Sequence, residues 1–227
     1  MPTLVIANKC YSSWSLRPWL LLRELGIGFD EVLIPLGQPD TRERILRHSP
    51  AGRVPVLLDG DVTVWESLAI AEYAAERWPA AGVWPADAGA RALARAVSSE
   101  MHAGFAALRG GCPMNLGKRY AARDRGEGVA RDAARIEALW ADARARFGRG
   151  GPFLFGAFSA ADAMYAPVVT RFDTYAIPVG PDARAYMDAV LSLPSFGEWR
   201  DAGLAEPWIY GEDEADEEPV ANLRRVG

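Results

Sequence analysis

VPVLLDGDVTVWESLAIAEYAAERW, residues 54–78, carries the pattern from which the rest of the chain can be read. Two runs rich in strand-forming residues, VPVLL and VTVW, flank Asp59, Gly60 and Asp61, a composition suited to a hairpin turn. ESLAIAEYAAERW (66–78) then carries apolar residues at helical spacing and stops at Pro79. Upstream, LVIA (4–7) is continuously apolar, as in a strand covered on both faces. Leu16 to Leu25 follows at helical spacing, with Gly26 as its stop. FDEVLIPL (29–36) alternates Val32, Ile34 and Leu36 as a second strand, and TRERILRH (41–48) reads as a short charged helix. The order is βαβαββα, with the first strand central, a parallel first half and a hairpin second half. Pro18 fits most easily in a first helical turn, where its missing N–H has no partner to lose. That predicts a helix start near Trp14 or Ser15, with Ser12 and Ser13 just outside its mouth.

After PAAGVWPADAG (79–89) the strand-like alternation disappears and alanine-rich amphipathic segments take over. Helical periodicity covers 90–108, 129–148, 160–175, 181–192 and 195–204. We therefore read an α/β domain over 1–80, an all-α domain over 87–210 and an acidic tail over 211–227. In the tail, GEDEADEEP holds six carboxylates in nine residues without an apolar anchor, which predicts a mobile or surface-draped segment. Half of the 227 residues are apolar, and 25 Lys and Arg against 30 Asp and Glu give a net charge of −5. No long basic run is present to follow a phosphate backbone, so nucleic acid is not an expected partner. MPTLVIANK has neither a basic leader nor a long apolar segment, and no stretch of membrane-spanning length follows; a soluble, cytoplasmic protein without a membrane partner is the expectation. Cys10 and Cys112 have no CxxC or CxxH spacing, so reduced thiols and no metal are expected.

Four motifs follow one another in this frame: SSWSLR (12–17), HSPAGRVPVL (48–57), WESLAI (65–70) and FSAADAMYAPVVTRF (158–172). In this order, and with this architecture, the chain resembles the cytosolic glutathione S-transferases of the serine type, nearest in motif to zeta-like bacterial members. The resemblance implies a thioredoxin-like first domain that binds glutathione as co-substrate, a helical domain that holds a small hydrophobic electrophile, a homodimer, and a role in detoxification. It also implies a cis Val54-Pro55 peptide whose preceding main chain pairs with the cysteinyl residue of glutathione, in the manner of an added strand. Arg53 is then placed for the glycine carboxylate, with Gln38 and His48 as further possibilities. Glu66 and Ser67 are placed for the γ-glutamyl end, where Ser67 reads as the cap of a helix whose N-terminus favours a carboxylate. Ser159 and Asp162 form a capping-box pattern, a folding role outside the site.

The thiol of glutathione has a reference pKa of about 8.5, so activation means stabilising its anion. A hydroxyl at a helix N-terminus does that by donating a hydrogen bond to sulfur. In the resemblance the activating serine stands five residues before the helix arginine, which from Arg17 is Ser12; Ser13 is the next candidate. Cys10 is the rival, as the attacking thiol of a thiol transferase, but stands seven residues before Arg17; Tyr11 is similarly displaced. The electrophile pocket is expected between the domains, lined by Trp14 and by Met101, His102 and Phe105, with Arg109 as a polar candidate. A zeta-like isomerase acting on maleylacetoacetate and a non-catalytic binding module are the other readings. Trp14 in place of the cysteine of SSCS, and MHAGF (101–105), depart from the zeta pattern.

Overall fold

The computed structural model describes residues 1–224. Strands β1 (Thr3–Ile6), β2 (Asp30–Leu33), β3 (Val56–Asp59) and β4 (Val62–Trp65) form a sheet in the order β2-β1-β3-β4. β1 and β2 run parallel, and β3 and β4 are antiparallel, with Val5 opposite both Val32 and Val56. Helices α1 (Ser13–Glu24), α2 (Thr41–Leu46) and α3 (Ser67–Arg77) complete the βαβαββα unit. β1 is inner and its side chains alternate between two cores. Leu4 and Ile6 join the large one shared with α1 and α3, and Val5 meets Ile34, Ile45 and Val56 in a smaller one. That explains the unbroken apolar run at 4–7.

Two helix starts differ from expectation. α1 begins at Ser13 because Ser12 caps it, its Oγ accepting the Ser15 N–H at 3.3 Å. Pro18 therefore lies inside the helix, and burial of α1 against α3, α7 and α9 carries the lost backbone bond. At α3 the cap position belongs to Glu66 (φ 71°), and Ser67 is the first helical residue. The chain turns from β4 into α3 without a linker, which forces this backbone on Glu66.

The second half contains α4 (Ala88–Ala103), α5 (Ala106–Gly111), α6 (Glu127–Phe147), α7 (Ala160–Thr174), α8 (Pro181–Leu191) and α9 (Pro194–Leu204). The helix expected over 90–108 breaks at Gly104 and Phe105 (φ 59°), so α5 leaves at a new angle. α7 is buried almost throughout and packs on α1, α4 and α8. It starts at the anticipated capping box, with Ser159 N–H and Leu154 N–H donating to the Asp162 carboxylate. Trp140 of α6 meets Tyr165, Phe172 and Tyr186. Among the described residues no helix is long and apolar enough to cross a membrane.

This half also carries two short strands, and the described part of the tail is tied down. β5 (Lys118–Arg119) pairs antiparallel with β6 (Ala221–Asn222), which ties the tail across the helices. Glu217 pairs with Arg123 and Arg125, and Glu214 with Lys118. The acidic run is draped on the surface as one of the expected alternatives had it, and ion pairs supply the anchors that its composition lacks. The last three residues of the tail lie outside the described part.

Candidate active site

α1 opens toward a cleft between the sheet unit and the helices. A cavity of about 320 Å³ is walled by Arg53, Val54, Pro55, Trp65 and Glu66 on the sheet side and by His102 and Arg109 on the helical side, with Trp14 between. The Val54-Pro55 bond is cis. A second cavity of about 430 Å³ lies on the other side of Trp14 and Arg109, which border both. Its walls include Tyr11, Ser12, Ser13 and Leu36, then Ala106 and Arg171, and from the tail Asp213.

The serines divide their labour. Ser12 Oγ is engaged twice, accepting from Ser15 N–H and lying 2.8 Å from Ser15 Oγ, which in turn accepts the Ala7 N–H at 3.0 Å. This chain of bonds ties the helix mouth to the end of β1. The Ser13 hydroxyl makes no hydrogen bond to the described residues and borders the second cavity. Cys10 is fully buried, 3.8 Å from Asn115 Oδ1 and 3.6 Å from Arg224 Nη1, and burial pushes its thiol up to about 11. It borders neither cavity. The Tyr11 hydroxyl is spent on Glu214 and is raised by burial and by that carboxylate.

The guanidiniums of Arg17 and Arg109 lie over the Trp14 ring at 4.1 Å and 4.7 Å, with the His102 ring edge-on at 5.2 Å. Arg17 is buried; burial, then repulsion from Arg171 and Arg109, lowers it to about 9, so it remains a cation at neutral pH. Its Nη1 donates to Ser67 Oγ at 3.4 Å and its Nε has no partner. Burial, then Arg17, lowers His102, which favours the neutral ring; Nε2 lies 3.6 Å from Glu66 Oε2 and Nδ1 is buried without a partner.

Several expected site residues therefore meet at one cleft: Trp14, Arg53, Val54, Pro55, Glu66 and His102. Others do not. Met101 and Phe105 border neither cavity and are corrected to core positions. The apolar face of α4 packs on α7 and takes Met101 with it, and the break after Gly104 turns Phe105 inward. Ser67 is buried beneath the cleft surface, its hydroxyl held by Arg17 and 3.8 Å from the Met164 sulfur. Gln38 and His48 sit on neither wall. Sequence reading missed Arg171, which lies inside a motif that reads as structural, and Asp213, which it left in the tail. Arg17 served there only to count positions.

The family model of the glutathione S-transferase N-terminal domain matches residues 11–77, and that of the C-terminal domain matches residues 126–202. The chain belongs to the glutathione S-transferase family. Among curated proteins it is 40% identical over 63 residues to a dichloromethane dehalogenase of Methylorubrum extorquens, covering 27% of this chain and 22% of that protein. It is 33% identical over 94 residues to a zeta-class glutathione S-transferase of Euphorbia esula, covering 40% and 41%. The chain thus spans less than half the length of these curated relatives. Among solved structures, a glutathione transferase homologue from Burkholderia with bound glutathione superposes with a TM-score of 0.67 at 25% identity, over 89% of this chain and 97% of that one.

Proposed function

We propose that the protein is a glutathione transferase: it binds glutathione along the Val54-Pro55 wall and stabilises the thiolate at the mouth of α1 for attack on an electrophile. The observation that carries this reading is the convergence of Arg53, Val54 and Glu66 with Trp14 of α1 on one cavity, with Ser12 and Ser13 on the adjoining cavity that Trp14 also borders. In this arrangement the main chain of Val54 holds the cysteinyl residue in register, Arg53 meets the glycine carboxylate, and Glu66 meets the γ-glutamyl ammonium. Arg17 holds the Ser67 corner from beneath. Ser12 caps the helix, and Ser13 has the hydroxyl free to donate to sulfur. Both serines also sit at the positive end of the helix dipole, which favours the anion. Catalysis is then positioning plus thiol activation, with the proton released to solvent. We take the working unit to be a cytoplasmic homodimer, with the first domain of one chain against the second domain of the other, as the family resemblance implies.

The test is glutathione binding by calorimetry, with the bound thiol titrated through its ultraviolet thiolate absorbance. Wild type should bind and lower the thiol pKa. Ser13→Ala should cut conjugation of an aryl halide by about 10- to 100-fold, the loss of one hydrogen bond to a charged atom. Ser12→Ala should also lower the melting temperature, because the cap goes with it. No binding of glutathione to the wild type sinks the reading; activity surviving in both variants removes the serines from it.

A further inference from the structure

The cavity beyond Trp14 has a charge pattern that a purely apolar second substrate leaves unanswered. We propose that it is an anion subsite, and that the second substrate is an aromatic electrophile carrying a carboxylate or sulfonate, which Arg171 and Arg109 bind while its ring occupies the cavity that Trp14 borders. This rests on the transferase reading above and specifies the substrate class.

The argument starts from the arginines. Arg171 is only 5% exposed and donates to two carbonyls, Cys112 O at 2.9 Å and Pro167 O at 3.2 Å. Arg109 reaches one carbonyl, Gly104 O at 3.5 Å, and lies over the Trp14 ring. Carbonyls orient a guanidinium without cancelling its charge. Among the described residues, no carboxylate lies within the 4.0 Å of an ion pair from Arg17, Arg109 or Arg171. Buried Arg17 also leaves its Nε without a partner. The three cations repel one another, and the carboxylates that act on them, Glu66 on Arg17 and Asp213 on Arg171, stay outside ion-pair distance, so an arriving anion relieves a charge that is only partly offset. Arginine forks suit planar acids in particular.

Glutathione does not answer this charge. In the proposed pose its glycine carboxylate goes to Arg53 and its γ-glutamyl end to Glu66, both on the neighbouring cavity. The carboxylate that does border the second cavity is Asp213, carried by the 3-10 turn Gly211–Asp213 of the tail. Burial raises it to about 6 while Arg171 opposes the rise. Asp213 therefore stands where it competes with an incoming acid for Arg171. The chemistry balances without a co-reactant: the glutathione thiolate forms the C–S bond, the C–halogen bond breaks, and halide leaves with the electron pair. The acid group is unchanged and serves to orient the ring.

Full-length protein without glutathione is titrated with nitrobenzoate and, separately, with the uncharged nitrobenzamide. The acid should bind about 10-fold tighter or more, the worth of a charged hydrogen-bonded pair. Arg109→Gln should shrink that preference to within about twofold, Arg109→Lys should keep part of it, and Asp213→Asn should tighten the acid alone. With glutathione present, kcat/KM for a chloronitrobenzoate over the matching chloronitrobenzamide should follow the same ratios. Added salt should weaken only the acid. Equal affinity for acid and amide, or a preference that survives Arg109→Gln, overturns the proposal. Arg171→Gln is the stronger variant where it folds, and Arg109→Gln with the salt titration decides where it does not. Failure to bind glutathione would sink the transferase reading and leave the nitrobenzoate comparison standing; intact conjugation without acid preference would sink this inference alone.

Discussion

The Tyr11 hydroxyl donates a 2.6 Å hydrogen bond to Glu214 Oε1, a contact between residues 203 apart in the chain. Tyr11 immediately precedes the cap of α1, so the acidic tail holds the loop from which the helix mouth is built. Asn115 Nδ2 and Lys118 Nζ meet the same carboxylate, and Arg224 Nη1 reaches the Tyr11 hydroxyl at 3.2 Å.

Glu214→Gln should therefore loosen both tail and loop. Burial raises the Glu214 carboxyl, but the bonds from Lys118 and Tyr11 outweigh it and the net shift is downward. A lowered carboxyl stabilises the folded state above its unfolded pKa and loses that contribution as pH falls through the folded one. Limited proteolysis of wild type should thus show the tail released below pH of about 4, the region under an ordinary glutamate. In Glu214→Gln, release should occur at neutral pH, with a stability loss of about 1–2 kcal/mol.

Asp162 titrates with the opposite sign. It is fully buried, and burial raises it to about 6 against the bonds from Leu154, Ser159 and Tyr186. A raised carboxyl contributes stability that is complete below its unfolded pKa and lost as pH climbs through the folded one. Between its ordinary value of 3.8 and about 6, wild type should lose part of this contribution, and Asp162→Asn should flatten that slope in chemical denaturation. Asp162→Ala, which strands the Leu154 and Ser159 N–H groups, should cost about 2–4 kcal/mol.

Gly203 of α9 lies against the peptide joining Lys9 and Cys10: a Cβ there would stand 2.9 Å from Cys10 N and 3.0 Å from Lys9 C. The neighbouring Glu206 carboxylate takes the N–H groups of Lys9 and Cys10 at 2.7 and 3.2 Å. Gly203→Ala should push this loop away and cost about 1–3 kcal/mol, the range for an overpacked core. Because the same loop leads into Ser12, glutathione affinity measured by calorimetry should fall along with the melting temperature.

Cys10 should be chemically quiet. Its thiol is buried and pushed up to about 11, so thiolate is scarce at neutral pH. Alkylation of Cys10, followed by mass spectrometry in the folded protein, should wait on unfolding, and Cys10→Ala should leave conjugation near wild type. Rapid labelling together with loss of activity would restore the cysteine as nucleophile.

The βαβαββα order, the hairpin around Gly60 and the helices of the second half were legible in residue order, because each depends on periodicity and turn chemistry within a few residues. The break at Gly104 and Phe105 was not, since MHAGFAALRG (101–110) keeps helical spacing across it. Met101 and His102 show the same limit within the site. Both lie on α4, yet only His102 lines the cleft, because the packing of α4 on α7 chooses which of its faces is exposed.

Motif spacing carried the family and most of the sheet-side wall of the cleft, since Arg53, Val54 and Pro55 are consecutive and Glu66 follows one hairpin later. The charge of the second cavity belongs to the fold. Arg109, Arg171 and Asp213 come from α5, α7 and the tail, distant segments that only packing brings around Trp14. The tail follows the same logic: its composition says that it cannot bury an apolar face, whereas the cations at Lys118, Arg123 and Arg125 that hold it are on another part of the chain. Local sequence encodes local backbone, and the field at a site is the sum over charges that tertiary contacts assemble.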